Sequence, residues 1–192
     1  MGASTIRTRR WTRREYGRLI DMGVLHEDDP IELLEGRLVV AEAQHTPHAT
    51  AIDLVGEALR QGFGAGWRVR IQLPLGLGPD SEPEPDVAVV AGAPRDYLTA
   101  HPSTAALVVE VADSSLRLDR RLKSGLYARA GLAEYWIVNL VDGVLEVHRD
   151  PRPAADAAYG WAYRSVDIVR PPAIVTPLAA PAARIPVADL LP

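Results

Sequence analysis

Residues 106–131 read ALVVEVADSSLRLDRRLKSGLYARAG, and the fold turns on them. Ala106-Leu107-Val108-Val109-Glu110-Val111 is the most strand-like run in the chain, apolar and β-branched with a single charge. A continuous apolar run of this length predicts a strand buried on both faces, as in the middle of an α/β sheet. From Asp119 to Ala130 the pattern changes to a helix that ends at Gly131. Leu118, Leu122 and Leu126 form one stripe of it, while Asp119, Lys123 and Tyr127 lie along another face at i, i+4, i+8.

Working outward, the next run downstream is Tyr135 to Leu140, joined to Val144 to Arg149 across Val141-Asp142-Gly143. Asp-Gly favours the left-handed conformations of a hairpin turn. A further strand is expected over Tyr163 to Val169. Upstream, Asp86 opens a short apolar strand that runs to Val90, behind a Pro/Gly-rich loop over 74–85. Trp67 to Leu73 alternates as a strand, and His48 to Arg60 keeps helical spacing up to Gly62. Two short strands flank the Glu35-Gly36 turn. Thr12 to Met22 reads as a helix with Thr12 as cap and Glu15 three residues on. This order predicts one α/β (α+β) domain over residues 1–192, a mixed sheet flanked by helices. Residues 1–11 are expected as a flexible basic arm. Residues 171–192, rich in Pro and Ala, are expected as irregular coil with a last short turn at 187–190.

Composition agrees with that picture. The chain has 192 residues, enough for one core and too few for two ordinary domains, and 47% of them are hydrophobic. No apolar run reaches the roughly 20 residues of a membrane span, and the N-terminus lacks the apolar stretch of a secretory signal, so a soluble, cytoplasmic protein is expected. The absence of cysteine removes disulfides, thiolate zinc sites and cysteine nucleophiles together. Six arginines against Glu15 crowd residues 1–18, a basic segment suited either to nucleic acid or to a solvated helix face. Of the 21 basic residues twenty are Arg and one is Lys123. Where arginine serves for bulk charge throughout, a surviving lysine suggests a place that needs a compact ammonium.

Two acids stand where acids are costly. Glu110 interrupts its apolar strand and needs a metal, a cation or hydrogen-bond donors there; half of a structural salt bridge would also satisfy it. Asp86, taken alone, reads equally as a strand-end residue. If their strands are neighbours, the two carboxylates converge at one end of the sheet, the oxygen-rich setting that Mg²⁺ favours. Glu32 and Glu35 sit amid apolar residues near the first turn, with no sequence signal to say whether they face solvent.

The stretch Glu110-Val111-Ala112-Asp113-Ser114-Ser115, then Asp119-Arg120, Lys123, Tyr127-Ala128-Arg129-Ala130-Gly131 and Glu134-Tyr135-Trp136-Ile137-Val138, closely resembles the Uma2 family, also known as DUF820. The resemblance extends through Glu32-Leu33-Leu34-Glu35-Gly36-Arg37, His48 and Glu84-Pro85-Asp86-Val87. That family is classed with PD-(D/E)xK nucleases, which implies a restriction endonuclease-like fold and a metal-dependent endonuclease that hydrolyses DNA with Mg²⁺ or Mn²⁺. Pro85-Asp86 resembles the "PD" of the motif and Glu110 its second acid, so Asp86 and Glu110 are implied as metal ligands, joined by the Val111 carbonyl. The position two beyond Glu110, where the ordinary motif has lysine, is Ala112; the resemblance puts the catalytic lysine on the next helix, at Lys123. Glu32 resembles an N-terminal acid associated with the same site, and His48 and Tyr127 match positions at its rim. The fold also points to homodimers, since cutting both strands of a duplex calls for two sites.

Two other classes of function compete. A catalytically silent binding or interaction module could keep the fold, and metal titration separates it from an enzyme. A zinc hydrolase finds little support, because the five histidines form no H-E-x-x-H cluster.

Overall fold

The computed structural model describes residues 8–26, 28–41 and 44–192. Of the basic arm, residues 1–7 lie outside that description. Its described end is laid on the body: the Trp11 amide donates to the Gly36 carbonyl at 2.8 Å, and Arg10 donates to the Glu35 carbonyl at 2.7 Å.

Helix α1 (Arg13–Asp21) starts at a reciprocal cap in which the Glu15 amide donates to Thr12 Oγ1 and the Thr12 amide to Glu15 Oε2. β1 (Ile31–Leu34) and β2 (Arg37–Val40) form a hairpin whose two turn residues, Glu35 and Gly36, both have positive φ. This is the twist that a two-residue hairpin needs, and glycine supplies half of it without strain. α2 (Thr46–Phe63) is longer than its sequence pattern, because Pro47 sits in the first turn where its missing N–H costs nothing. The six-stranded sheet then follows as β3 (Trp67–Ile71), β4 (Val87–Ala91), β5 (Leu107–Ala112), β6 (Glu134–Asn139), β7 (Val144–Pro153) and β8 (Trp161–Val169). Its spatial order is the chain order. All neighbours are antiparallel except β5 and β6, which are parallel and joined by a helical crossover.

That crossover departs from the single helix expected over 119–130. It is α3 (Leu116–Leu118), a π-helical turn over Asp119–Lys123 and α4 (Ser124–Arg129), in one continuous run. The wider π-turn leaves Asp119 and Lys123 buried while Arg120 and Arg121 between them are exposed. Such turns recur at functional sites because they re-aim side chains out of the regular spiral.

The strand pleat divides the core. Leu107, Val109 and Val111 pack with Trp136, Val138 and the α2 residues Ile52, Val55 and Leu59 on one face. Val108 and Ala112 pack with Tyr127, Ala128, Tyr135 and Ile137 on the other. The C-terminal tail is more regular than expected. β9 (Ile174–Val175) pairs with β10 (Ile185–Pro186), and Val175, Ile185, Val187 and Leu190 join the α2 side of the core. Buried Glu134 fastens it, accepting from the Leu178 amide at 2.7 Å as well as from Arg149. Among the described residues no helix is long and apolar enough to cross a membrane.

Candidate active site

The β4–β5 register pairs Val87 with Val109, so Asp86, the residue before β4, stands across from Glu110. The two acids are tied through backbone. The Val111 amide donates to Asp86 Oδ2 at 2.8 Å, and the Asp86 amide lies 3.4 Å from Glu110 Oε2. His48, in the first turn of α2, brings Nε2 to 3.3 Å from Asp86 Oδ2. From the crossover, Tyr127 donates its hydroxyl to Glu110 Oε1 at 2.6 Å. Lys123 Nζ lies 3.0 Å from the same oxygen and 3.3 Å from Glu32 Oε1 on β1. All six residues singled out from sequence therefore meet in one place, and all are buried except half-buried His48.

Pattern and geometry agree with a family model. The sequence matches Uma2, described as "Putative restriction endonuclease", over residues 13–188. The chain belongs to the Uma2 family. A solved structure titled as a "putative nuclease belonging to DUF820" from Anabaena variabilis superposes with a TM-score of 0.65, covering 90% of this chain and 96% of that one. At 16% identity the likeness is one of fold. No curated protein matches the sequence.

In this Uma2 protein the cluster lies in a cleft of about 1460 Å³ whose walls carry more acid than base. Glu32, His48, Asp86, Glu110 and Lys123 line it together with Asp119 and Glu84, while Tyr127 lies buried behind Glu110. Asp119 is buried and accepts from Ser115 Oγ at 2.6 Å. Glu84 lines the cleft half-buried, and its carboxylate makes no hydrogen bond or ion pair among the described residues. Neither was singled out from sequence as a site residue on its own. Asp119 carries a signal in its i, i+4 spacing to Lys123, and Glu84 in standing one proline away from Asp86. The open question over Glu32 and Glu35 is resolved by burial: Glu32 faces Lys123, whereas Glu35 turns away to Arg129 and Arg10.

Electrostatics follow from burying many carboxylates around one ammonium. Burial pushes the Glu110 carboxyl well above the usual range, with Lys123 opposing. Asp119 rises to about 6 for the same reason, again against Lys123. Glu84 rises to about 7 through burial, helped by Glu32 and Glu82. For Lys123, burial favours loss of the proton, but Glu110, Glu32, Asp119 and Asp86 outweigh it and hold the side chain charged. The hydrogen bond to Asp86 raises His48. Tyr127, raised by burial, stays a phenol and hence a donor.

The donor chemistry suits a hard divalent cation. Oxygen ligands dominate, carboxylates outnumber cations, and the buried Glu32 Oε2 has no hydrogen-bond partner. Among the described residues no three His, Asp or Glu side chains already converge on one point. Lys123 lies between Glu32 and Glu110 instead. Ala112, two beyond Glu110, is fully buried against the crossover layer.

Proposed function

We propose that this protein is a metal-dependent endonuclease that hydrolyses phosphodiester bonds of DNA, with Asp86 and Glu110 as the ligands of Mg²⁺ or Mn²⁺. The observation that carries the reading is Lys123, the chain's one lysine, whose ammonium sits 3.0 Å from Glu110 Oε1 in an acid-lined cleft. A bound divalent ion there would lower the pKa of a water, screen the phosphate and stabilise the developing oxyanion.

The chain's own groups have separable tasks. The Val111 amide and His48 fix the Asp86 carboxylate. Tyr127 sets the direction of Glu110. Lys123, held charged by Glu110 and Glu32, offers a positive point that positions a nucleophile and balances the phosphate charge. Glu32 anchors that ammonium from β1, and its second oxygen is buried without a hydrogen-bond partner. Activity on both strands of a duplex would come from a homodimer, to be checked by light scattering.

The test is purified protein with Mg²⁺ or Mn²⁺ against linear, supercoiled and single-stranded DNA, with Glu110→Ala as control. Cleavage by the wild type alone, and divalent-ion binding that Asp86→Ala removes, are expected. Protein that binds no divalent ion and cuts none of the three DNAs would be a silent nuclease-fold module.

A further inference from the structure

Ahead of α4 the crossover carries four basic side chains, Arg117, Arg120, Arg121 and Lys123, and the structure gives them different fates. Lys123 is buried in the site. Arg120 is spent on Glu146, to which it makes a forked contact with bonds of 2.6 to 3.1 Å. Arg117 and Arg121 are exposed on the rim of the same cleft, and among the described residues their guanidinium groups have no hydrogen-bond or ion-pair partner.

The surroundings make this notable. Acids outnumber basic residues along the cleft, and Asp28, Asp29, Glu84 and Asp156 stand on its walls. A polyanion approaching from that side is repelled. Approaching along the crossover, it meets two free guanidinium groups four residues apart, one on α3 and one on the π-turn. Guanidinium forks match phosphate oxygens. We infer that Arg117 and Arg121 form the contact track for the nucleic-acid backbone, placing one strand's phosphates along the crossover beside Lys123. This deepens the nuclease reading and rests on it. The track reads charge and not bases, so it sets position and affinity without sequence preference.

Salt dependence tests it. Binding of a fluorescent duplex oligonucleotide is followed by anisotropy in EDTA over a range of salt, for wild type, Arg117→Ala/Arg121→Ala and Arg14→Ala/Arg18→Ala. The last pair has the same spacing on α1, is equally exposed, and lines a separate hollow away from the cleft. The crossover variant should lower the slope of log K against log salt by about 2, alike for unrelated sequences, whereas the α1 variant should leave it unchanged. With Mg²⁺ present, the crossover variant should raise KM and keep kcat. Wild-type slope and KM in the crossover variant would overturn the track while leaving the nuclease reading intact; so would an equal effect from the α1 pair. Wild-type protein that neither binds nor cuts DNA would overturn both.

Discussion

Removing the Arg120 guanidinium should loosen the turn that carries Asp119 and Lys123, and its cost follows from the Glu146 environment. Glu146 on β7 is nearly inaccessible, its side chain 3% exposed, against 43% for Arg120. Its oxygens accept from Arg120 Nε and Nη2 and, at 2.8 Å, from Asn139. Breaking a buried ion pair by deleting one partner costs about 3–5 kcal/mol. Because Arg120 is partly exposed and the Asn139 bond survives, Arg120→Ala should fall at the low end, about 3 kcal/mol, or roughly 6–12 °C in Tm for a chain of this size. The pH dependence is a second signature. Burial alone would raise the Glu146 carboxyl, but His148 beside it at 3.8 Å and the hydrogen bonds from Arg120 and Asn139 outweigh it and bring it to about 2. The folded state thus prefers the charged form. Its contribution is full above the usual value of 4.5 and is lost as pH falls from there toward 2. Urea denaturation of wild type and variant across that window should show the wild type losing stability faster as acid is added. A loss below about 1 kcal/mol at neutral pH, the range of exposed pairs, or an unchanged acid limb would refute the clamp.

Three other outcomes are expected. Lys123→Ala should abolish DNA cleavage and Lys123→Arg should lower it sharply, both with Mn²⁺ binding retained by paramagnetic resonance, whereas Asp86→Ala and Glu110→Ala should lose ion and activity together; full activity in Lys123→Arg would remove Lys123 from the mechanism. Tyr127→Phe deletes one hydrogen bond to Glu110 and should reduce cleavage about tenfold, equivalent to about 1.4 kcal/mol, without preventing folding. Glu134→Gln leaves the Arg149 charge unmatched in a buried pair and should cost about 3 kcal/mol, with faster amide exchange over 174–190; tail protection equal to wild type would show that Glu134 does not fasten it.

How far this was readable from sequence depends on the range of each interaction. The strand bearing Glu110 was legible because an acid inside a β-branched run violates the local pattern, and such violations cluster at functional places. Asp86 followed from the adjoining apolar strand, and Lys123 from being unique. Glu35-Gly36 and Asp142-Gly143 announced their turns through local dihedral chemistry. The Arg120–Glu146 clamp was invisible, since it links residues 26 apart that are unremarkable in their own windows. The π-turn was equally hidden: an i, i+4 pattern looks the same in sequence whether or not an extra residue widens the turn. In the tail the last turn falls at Val187–Leu190 as expected, while its two-residue strands went unseen because they are too short for any period to show. Its order comes from Glu134 and the α2 face, both distant in the chain.

The geometry also accounts for a small residue at Ala112. Strand residues two apart share a face, so Ala112 and Glu110 both look toward the crossover, and Ala112 is packed there without any exposure. Lys123 reaches Glu110 from that covering layer. The ammonium therefore arrives at the same carboxylate that a lysine on β5 would border, but from above the sheet and not along it. An aliphatic stem at Ala112 would need the space that Tyr127 and Ala128 now fill, and a second ammonium would face one already surrounded. Strand position and helix position are thus alternatives for one charge, and here the helix position, on the π-turn, carries it. There Lys123 is buried against Glu110 and Glu32 while Arg120 anchors on Glu146 and Arg121 remains outside. Five residues thus serve three destinations, with Asp119 and Lys123 sharing the buried face while Arg120 turns to the sheet and Arg121 to the solvent.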